Sequence, residues 1–223
     1  ATSGTDNDLT AIPYLMAGMN ASGTNYSQNP SWFKPPFYSH LPIIQIVANN
    51  VAIVNEPKKT MIMRIIDNGY DQNHLPDSAN DYYGKAGVEL HGASSLNFAQ
   101  KSYGITTYDS LAQPDNVKIL GFPKESDFIM YAPYNDKTLM RNAMMYDLAR
   151  KMGWWAPRCR FVEAFLDTVY IGVYVMMEKV KIDKNRVPVT QIKPNHNAGD
   201  SLTGGYIFKV DWNADAGLGT WNS

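Results

Sequence analysis

DFIMYAPYNDKTLMRNAMMYDLARKMGWWAPRCRFVEAFLDTVYIGVYVMMEK, residues 127–179, decides how this chain is read. Phe128-Ile129-Met130-Tyr131 has the composition of a buried strand, and Pro133-Tyr134-Asn135-Asp136 makes a polar turn after it. Met140, Met144, Leu148 and Met152 then recur every four residues. That spacing predicts a helix with four apolar side chains along one stripe, and the stripe is expected to pack on a sheet. Asn135 and Asp136 are candidate N-caps, because a short side-chain oxygen accepts from the free amides of a first turn. Arg150 and Lys151 suit the negative end of the helix dipole. Gly153 fits the position after the C-cap, and Pro157 prevents the helix resuming. Arg160–Leu166 and Tyr170–Met177 are strand-like and flank the short turn Asp167-Thr168, so they read as a hairpin. Arg141 sits beside the apolar stripe, and by pattern alone it is a snorkelling surface arginine.

Outward from this block, the totals narrow the class. The chain has 223 residues, 44% hydrophobic and 18% charged, which suits one large domain or two small lobes. A net charge of −1 gives no argument for a nucleic-acid partner, and no apolar run is long enough to serve as a transmembrane segment. One cysteine, Cys159, rules out an internal disulfide framework. It lies between Arg158 and Arg160, which are expected to lower its pKa, and with no histidine near it in sequence it reads as structural. The four histidines, His40, His74, His91 and His196, sit in unrelated turns and loops, so neither a Ser-His-Asp set nor a zinc site can be argued.

Residues 1–39 lack a sustained period and read as an irregular arm. The aromatic–proline cluster Trp32–Tyr38 is expected to anchor it. Ala1–Asp6 is small and polar, as at a mature end after signal cleavage or in a linker; sequons stand at Asn20 and Asn25. Strands are expected over His40–Val47, Thr60–Ile66 and Lys85–Leu90, with a solvated acidic loop from Asp67 to Tyr82. His91-Gly92-Ala93-Ser94-Ser95 is a small-residue turn, and a strand carrying Lys101 follows. Small residues let backbone amides approach phosphates and a lysine neutralises them, although this is neither a Walker loop nor G-x-G-x-x-G. Asn116–Phe122 is a short strand or turn, Lys181–Arg186 a charged loop, and Thr203–Asp211 one more strand. The Gly/Asn-rich segment 212–223 reads as the start of a truncated loop or linker. The fold class is α+β: many strands and one main helix, like the strand-rich lobe of a two-lobed enzyme.

From about His40 to Asp211 the chain resembles the spore-coat protein H (CotH) kinase family, an atypical protein-kinase-like group of secreted or surface proteins, here of the Bacteroidetes type. The resemblance is carried by His40-Leu-Pro-Ile-Ile, Leu90-His-Gly-Ala-Ser-Ser, Gln100-Lys-Ser-Tyr, Tyr134-Asn-Asp-Lys-Thr-Leu-Met-Arg-Asn, Arg150-Lys-Met-Gly, Gly172-Val-Tyr-Val-Met-Met-Glu and Thr203-Gly-Gly-Tyr. It implies a kinase-like N-terminal lobe over 40–211 with the C-terminal lobe missing. It also implies ATP and magnesium as cofactors and a secreted or surface protein as substrate. Gly92, Ser94 and Ser95 would border the phosphates, Lys101 would neutralise them, and Asp136 and Arg141 would be polar partners at the nucleotide. Met177 and Glu178 would be the hinge touching adenine through its backbone. Two positions depart from the family: His91 replaces an arginine and Gln100 the first of two lysines. Binding at His91 would weaken with rising pH. The family's two catalytic aspartates have no counterpart here, and Asp211-Trp212-Asn213 follows the wrong strand to supply one. An inactive kinase part is therefore expected; a non-catalytic structural or adhesive surface module is the alternative. A carbohydrate-associated domain would rest only on Trp32, Trp154, Trp155 and the tyrosines.

Overall fold

The computed structural model describes residues 37–207. Most of the arm, including both sequons and Trp32, lies outside the described residues, as do Asp211-Trp212-Asn213 and the end of the chain. The chain divides into two compact units, residues 1–180 and 181–223.

The first unit is built on a closed barrel of seven strands. β1 (Tyr38–Ser39) and β4 (Asn73–His74) form a separate two-stranded ladder. The barrel strands are β2 (Ile43–Val47), β3 (Lys59–Ile66), β5 (Tyr82–His91), β6 (Ser102–Tyr108), β7 (Asp127–Tyr131), β8 (Cys159–Leu166) and β9 (Val169–Glu178). They run in the order β2-β3-β5-β6-β7-β9-β8. All neighbours are antiparallel except β2 and β8, whose parallel register, Ile43↔Glu163 to Ile46↔Leu166, closes the ring.

Side chains alternate across a strand, so each strand of the barrel sends every second residue inward. Met61, Met63 and Ile65 of β3, Ala86 and Val88 of β5, Ile105 of β6, and Phe128 and Met130 of β7 form one buried core with Ile44, Ile46, Val162, Tyr174 and Met176. Lys85, Gly87 and Glu89 alternate with the inward pair on β5 and so share the outer face. A second, smaller cluster lies outside the barrel, where Phe37 packs on Ile43, Ile66 and Phe165. The Phe37 ring meets Phe165 edge-on at 5.0 Å and Tyr170 at 5.3 Å. Burying one such ring is worth roughly 1.5–3 kcal/mol, which fixes the chain where it enters β1.

The hairpin β8–β9 forms as expected, and Asp167 holds it to the turn after β2. Asp167 adopts φ 53° and its carboxylate accepts from the amides of Ala48, Asn49 and Asn50 at 2.7, 2.8 and 3.3 Å. The expected solvated loop over 67–82 is held by side chains instead: fully buried Asn73 donates to the carbonyls of Ser39 and Leu41 and accepts from the Asn68 amide.

The main helix, α1 (Arg141–Lys151), corrects two expectations. Met140 takes the N-cap position without a side-chain cap, so neither Asn135 nor Asp136 is the N-cap. The cap falls later because Asp136 bends the preceding segment: its Oδ1 accepts from the Thr138 amide at 3.0 Å, and its Oδ2 accepts from the Arg141 amide at 2.8 Å. The apolar stripe does not pack on the sheet. Met140, Met144, Leu148 and Met152 are 54%, 59%, 48% and 57% exposed. Ala143, Tyr146 and Arg150 are half-buried instead, and Arg150 Nη1 donates to the Pro157 carbonyl at 2.5 Å. The helix therefore rests on a stripe offset from its methionines. Its C-terminus follows the expectation. Gly153 has φ 87°, its amide donates to the Arg150 carbonyl at 2.9 Å, and the Trp154 amide donates to that of Ala149 at 3.0 Å. This is the Schellman pattern, which satisfies two of the last carbonyls.

In the second unit, the Arg186 amide donates to the Asp183 carbonyl, making the charged segment a turn. The strand expected from Thr203 is not formed over the described residues. Asp200–Thr203 is a helical turn closed on the Gly199 carbonyl, and residues 204–207 are irregular. Gly204 and Gly205 have no side chains to hold an extended form.

Candidate functional site

Two connections leave the barrel at the same end. His91 pairs with Ser102 across β5 and β6, and Ser102 Oγ accepts from the Ala132 amide at 2.9 Å. The segments 92–101 and 132–140 are thereby neighbours, and Phe98 stacks on Tyr134 with centroids 5.4 Å apart. The Gly92 loop thus stands beside the segment that carries Asp136 and leads to Arg141.

The Gly92 loop is shaped from within. Gly92 has φ 124°, a conformation that strains any other residue, and a Cβ there would force Ser95 Oγ to move. Ser94–Asn97 forms a 3₁₀ turn where a plain turn was expected. Lys101 lies just before β6 rather than on it, and its Nζ turns back to donate to the carbonyls of Leu96 and Phe98 at 2.5 and 2.6 Å. Gln100 is buried and donates to the Val173 carbonyl at 3.1 Å. Gly172, at φ 112°, makes room for it, since a Cβ there would lie 2.9 Å from Gln100 Nε2. Gln100 is a clamp between loop and β9, a role invisible without the strand order.

Asp136 is buried, and its Oδ1 accepts from Thr138 Oγ1 at 2.7 Å and lies 3.4 Å from Arg141 Nε. Burial pushes its pKa up, but the bonds from Thr138 and the Arg141 amide, with the Arg141 guanidinium, outweigh it and hold the carboxyl below its ordinary value. The Arg141 side chain is 72% exposed. Burial first, then Lys179 and Lys58, depress the pKa of His91 below its ordinary value, against an opposing pull from Glu89.

Met177 and Glu178 lie at the other end of β9. Met177 pairs with Ile129 of β7 and Cys159 of β8, so both neighbours flank its backbone. The Glu178 amide donates to the Arg158 carbonyl at 3.2 Å. Its fully buried carboxylate accepts from the Arg158 amide at 2.8 Å and from Nη1 at 2.9 Å. The first residues past the strand are Lys179 and Val180. Cys159 corrects the expectation of a lowered thiol pKa: burial pushes it up to about 11, with Glu178 adding to the rise and only Arg150 opposing.

Sequence reasoning also missed a polar group on the outer face of the barrel. Lys58 Nζ donates to Thr106 Oγ1 at 2.5 Å and stands 3.6 Å from Glu89 Oε1 and 3.9 Å from Asp127 Oδ1. The outward alternation of β5 and β6 could have flagged Glu89 and Thr106; Lys58 joins only through the β3–β5 pairing. No group of three or more metal-ligating side chains occurs among the described residues, and none of the helices described is long and apolar enough to cross a membrane.

No curated protein matches the chain. The family described as CotH kinase protein matches residues 88–223, more than half of the chain. That span takes in the Gly92 loop, Asp136, Arg141 and Glu178, so the chain belongs to the CotH kinase protein family.

Proposed function

We propose that this chain forms the nucleotide-binding side of a secreted or surface phosphotransferase. It would act with Mg-ATP on Ser/Thr hydroxyls of secreted or surface proteins. The observation that carries this reading is the placement of the segment that follows Gly92 beside the one that carries Asp136 and leads to Arg141, inside the family-matched span. Mg-ATP would supply the transferable phosphoryl group; the chain's part is to bind and orient it. Gly92, Ser94 and Ser95 keep the backbone of the loop approachable, and Lys101 fixes its shape from below. Exposed Arg141, tethered by Asp136, meets phosphate oxygens as a fork of donors. Met177 and Glu178 deliver the segment that faces adenine, whose first unpaired stretch starts at Lys179. Transfer also needs carboxylates that hold magnesium and orient the hydroxyl, and the resemblance places none of these here.

Calorimetry of the chain with Mg-ATP tests the reading. Binding that weakens on Arg141→Ala is expected; absence of any binding by the unaltered protein would overturn it. One observation favours a second reading, a non-catalytic surface module: the Lys101 ammonium is engaged by two carbonyls of its own loop. Mg-ATP binding that fails to respond to Arg141→Ala and Lys101→Ala would favour that module.

A further inference from the structure

The nucleotide reading leaves the Lys58 group unused. It lies on the outer face of β5, β6 and β7, between the barrel end with the Gly92 loop and the end with Lys179. Glu89 projects from β5, Thr106 from β6 and Asp127 from the start of β7. Lys58, just before β3, reaches across all three. Thr106 Oγ1 passes a hydrogen bond on to Asp127 Oδ1 at 2.7 Å. Two glycines clear this face. A Cβ on Gly104 would come 3.0 Å from Glu89 Oε1, and one on Gly87 would strike the Tyr108 ring. A side chain at Gly87 would displace the Tyr108 ring, and one at Gly104 would push Glu89 aside by a few tenths of an ångström.

The Lys58 side chain is 20% exposed, so solvent and a ligand reach it. Its ammonium has three donors, and one is committed to Thr106 at short range. The carboxylates at 3.6 and 3.9 Å are further than a closed charge-assisted bond of about 2.8 Å. They aim the amine without closing on it. In kinases generally, the lysine that contacts nucleotide phosphates is held by a glutamate in this way. The Lys101 amine, by contrast, has two short bonds to carbonyls. Lys179 adds a positive charge near this face; His91 is depressed first by burial and then by Lys179 and Lys58, against Glu89.

We propose that Lys58 contacts the phosphates of a bound nucleoside polyphosphate, held in position by Glu89, Thr106 and Asp127. The inference rests on the nucleotide reading above. It goes beyond the family match, which begins at residue 88, and gives the segment that leads into β3 a part in binding.

The test is calorimetry of the full chain with Mg-ATP and, separately, adenosine. Lys58→Met is expected to weaken Mg-ATP roughly tenfold to a hundredfold while adenosine changes by less than about twofold, and Lys58→Arg to recover most of the loss. Unchanged Mg-ATP affinity in Lys58→Met overturns the proposal, and so does an equal loss for both ligands, which marks a structural ion pair. If Lys58→Met does not fold, the same ratio is read on Lys58→Gln, whose amide keeps a donor for Thr106. Absence of binding by the unaltered chain is a different result and defeats the nucleotide reading itself.

Discussion

Replacing Glu178 separates a hinge from an anchor. Its carboxylate is fully buried and accepts from both the amide and the guanidinium of Arg158. Glu178→Gln keeps an oxygen for the Arg158 amide and loses the charge. The difference between charge-assisted and neutral hydrogen bonds puts that at about 1–2 kcal/mol. Glu178→Ala removes both bonds and leaves a space where β7, β8 and β9 meet, for about 2–4 kcal/mol. Because the Arg158 side chain is 43% exposed, its freed charge is rehydrated, so the full cost of breaking a buried pair is not reached. At a slope of about 2 kcal/mol per molar urea, the alanine variant unfolds roughly 1–2 M earlier. Urea titration followed by near-UV dichroism measures this. A midpoint shift below about 0.3 M for Glu178→Ala would refute the anchor argument. A fall in nucleotide affinity beyond that loss of stability would show that the side chain also serves the ligand.

Three further outcomes follow from the site. Cys159, with its thiol near pKa 11, holds a thiolate fraction on the order of one in a thousand at pH 8; iodoacetamide should label it about a hundredfold more slowly than a free thiol until the protein is unfolded. His91 binds its proton less tightly folded than unfolded, so its contribution makes stability fall as pH drops through the ordinary histidine range and leaves it level above; thermal melts of His91→Gln should lose that part of the slope, and an identical slope would contradict the burial argument. For Asp136→Asn and Arg141→Ala, a double-mutant cycle on Mg-ATP binding should show strong non-additivity, since one carboxylate holds both the amide and the guanidinium of Arg141; simple addition would show that the two act separately.

The fold was legible wherever a local rule decides it. Gly153 and Pro157 gave the end of the helix, and Asp167-Thr168 gave the hairpin, because a left-handed residue and a two-residue turn are properties of a few neighbouring positions. Helix burial was not legible. Period fixes which residues share a face but not which face is covered, and the methionine stripe lost to Ala143, Tyr146 and Arg150. Closure of the barrel was equally hidden. It depends on Ile43–Ile46 lying parallel to Glu163–Leu166, a pairing across about 120 residues that no local pattern encodes.

Arg141 and Lys101 show how pattern and resemblance divide the site between them. Pattern gives Arg141 to the surface and resemblance gives it to a ligand. Its side chain is mostly exposed, yet its base is tied to buried Asp136 at both amide and guanidinium, so exposure and aim are compatible. Lys101 illustrates the reverse. Its place beside a small-residue loop suggested a cation facing phosphate, but a flexible four-carbon stem can turn back as easily as out, and here it closes on Leu96 and Phe98. A lysine's neighbours in sequence therefore do not decide what its amine serves. On this barrel a lysine from the segment before β3, Lys58, reaches Thr106 and Glu89 on the outer face, while the lysine nearest the loop holds the loop together. Side-chain length and strand order, neither of which can be read from a motif, assign the two amines to different work.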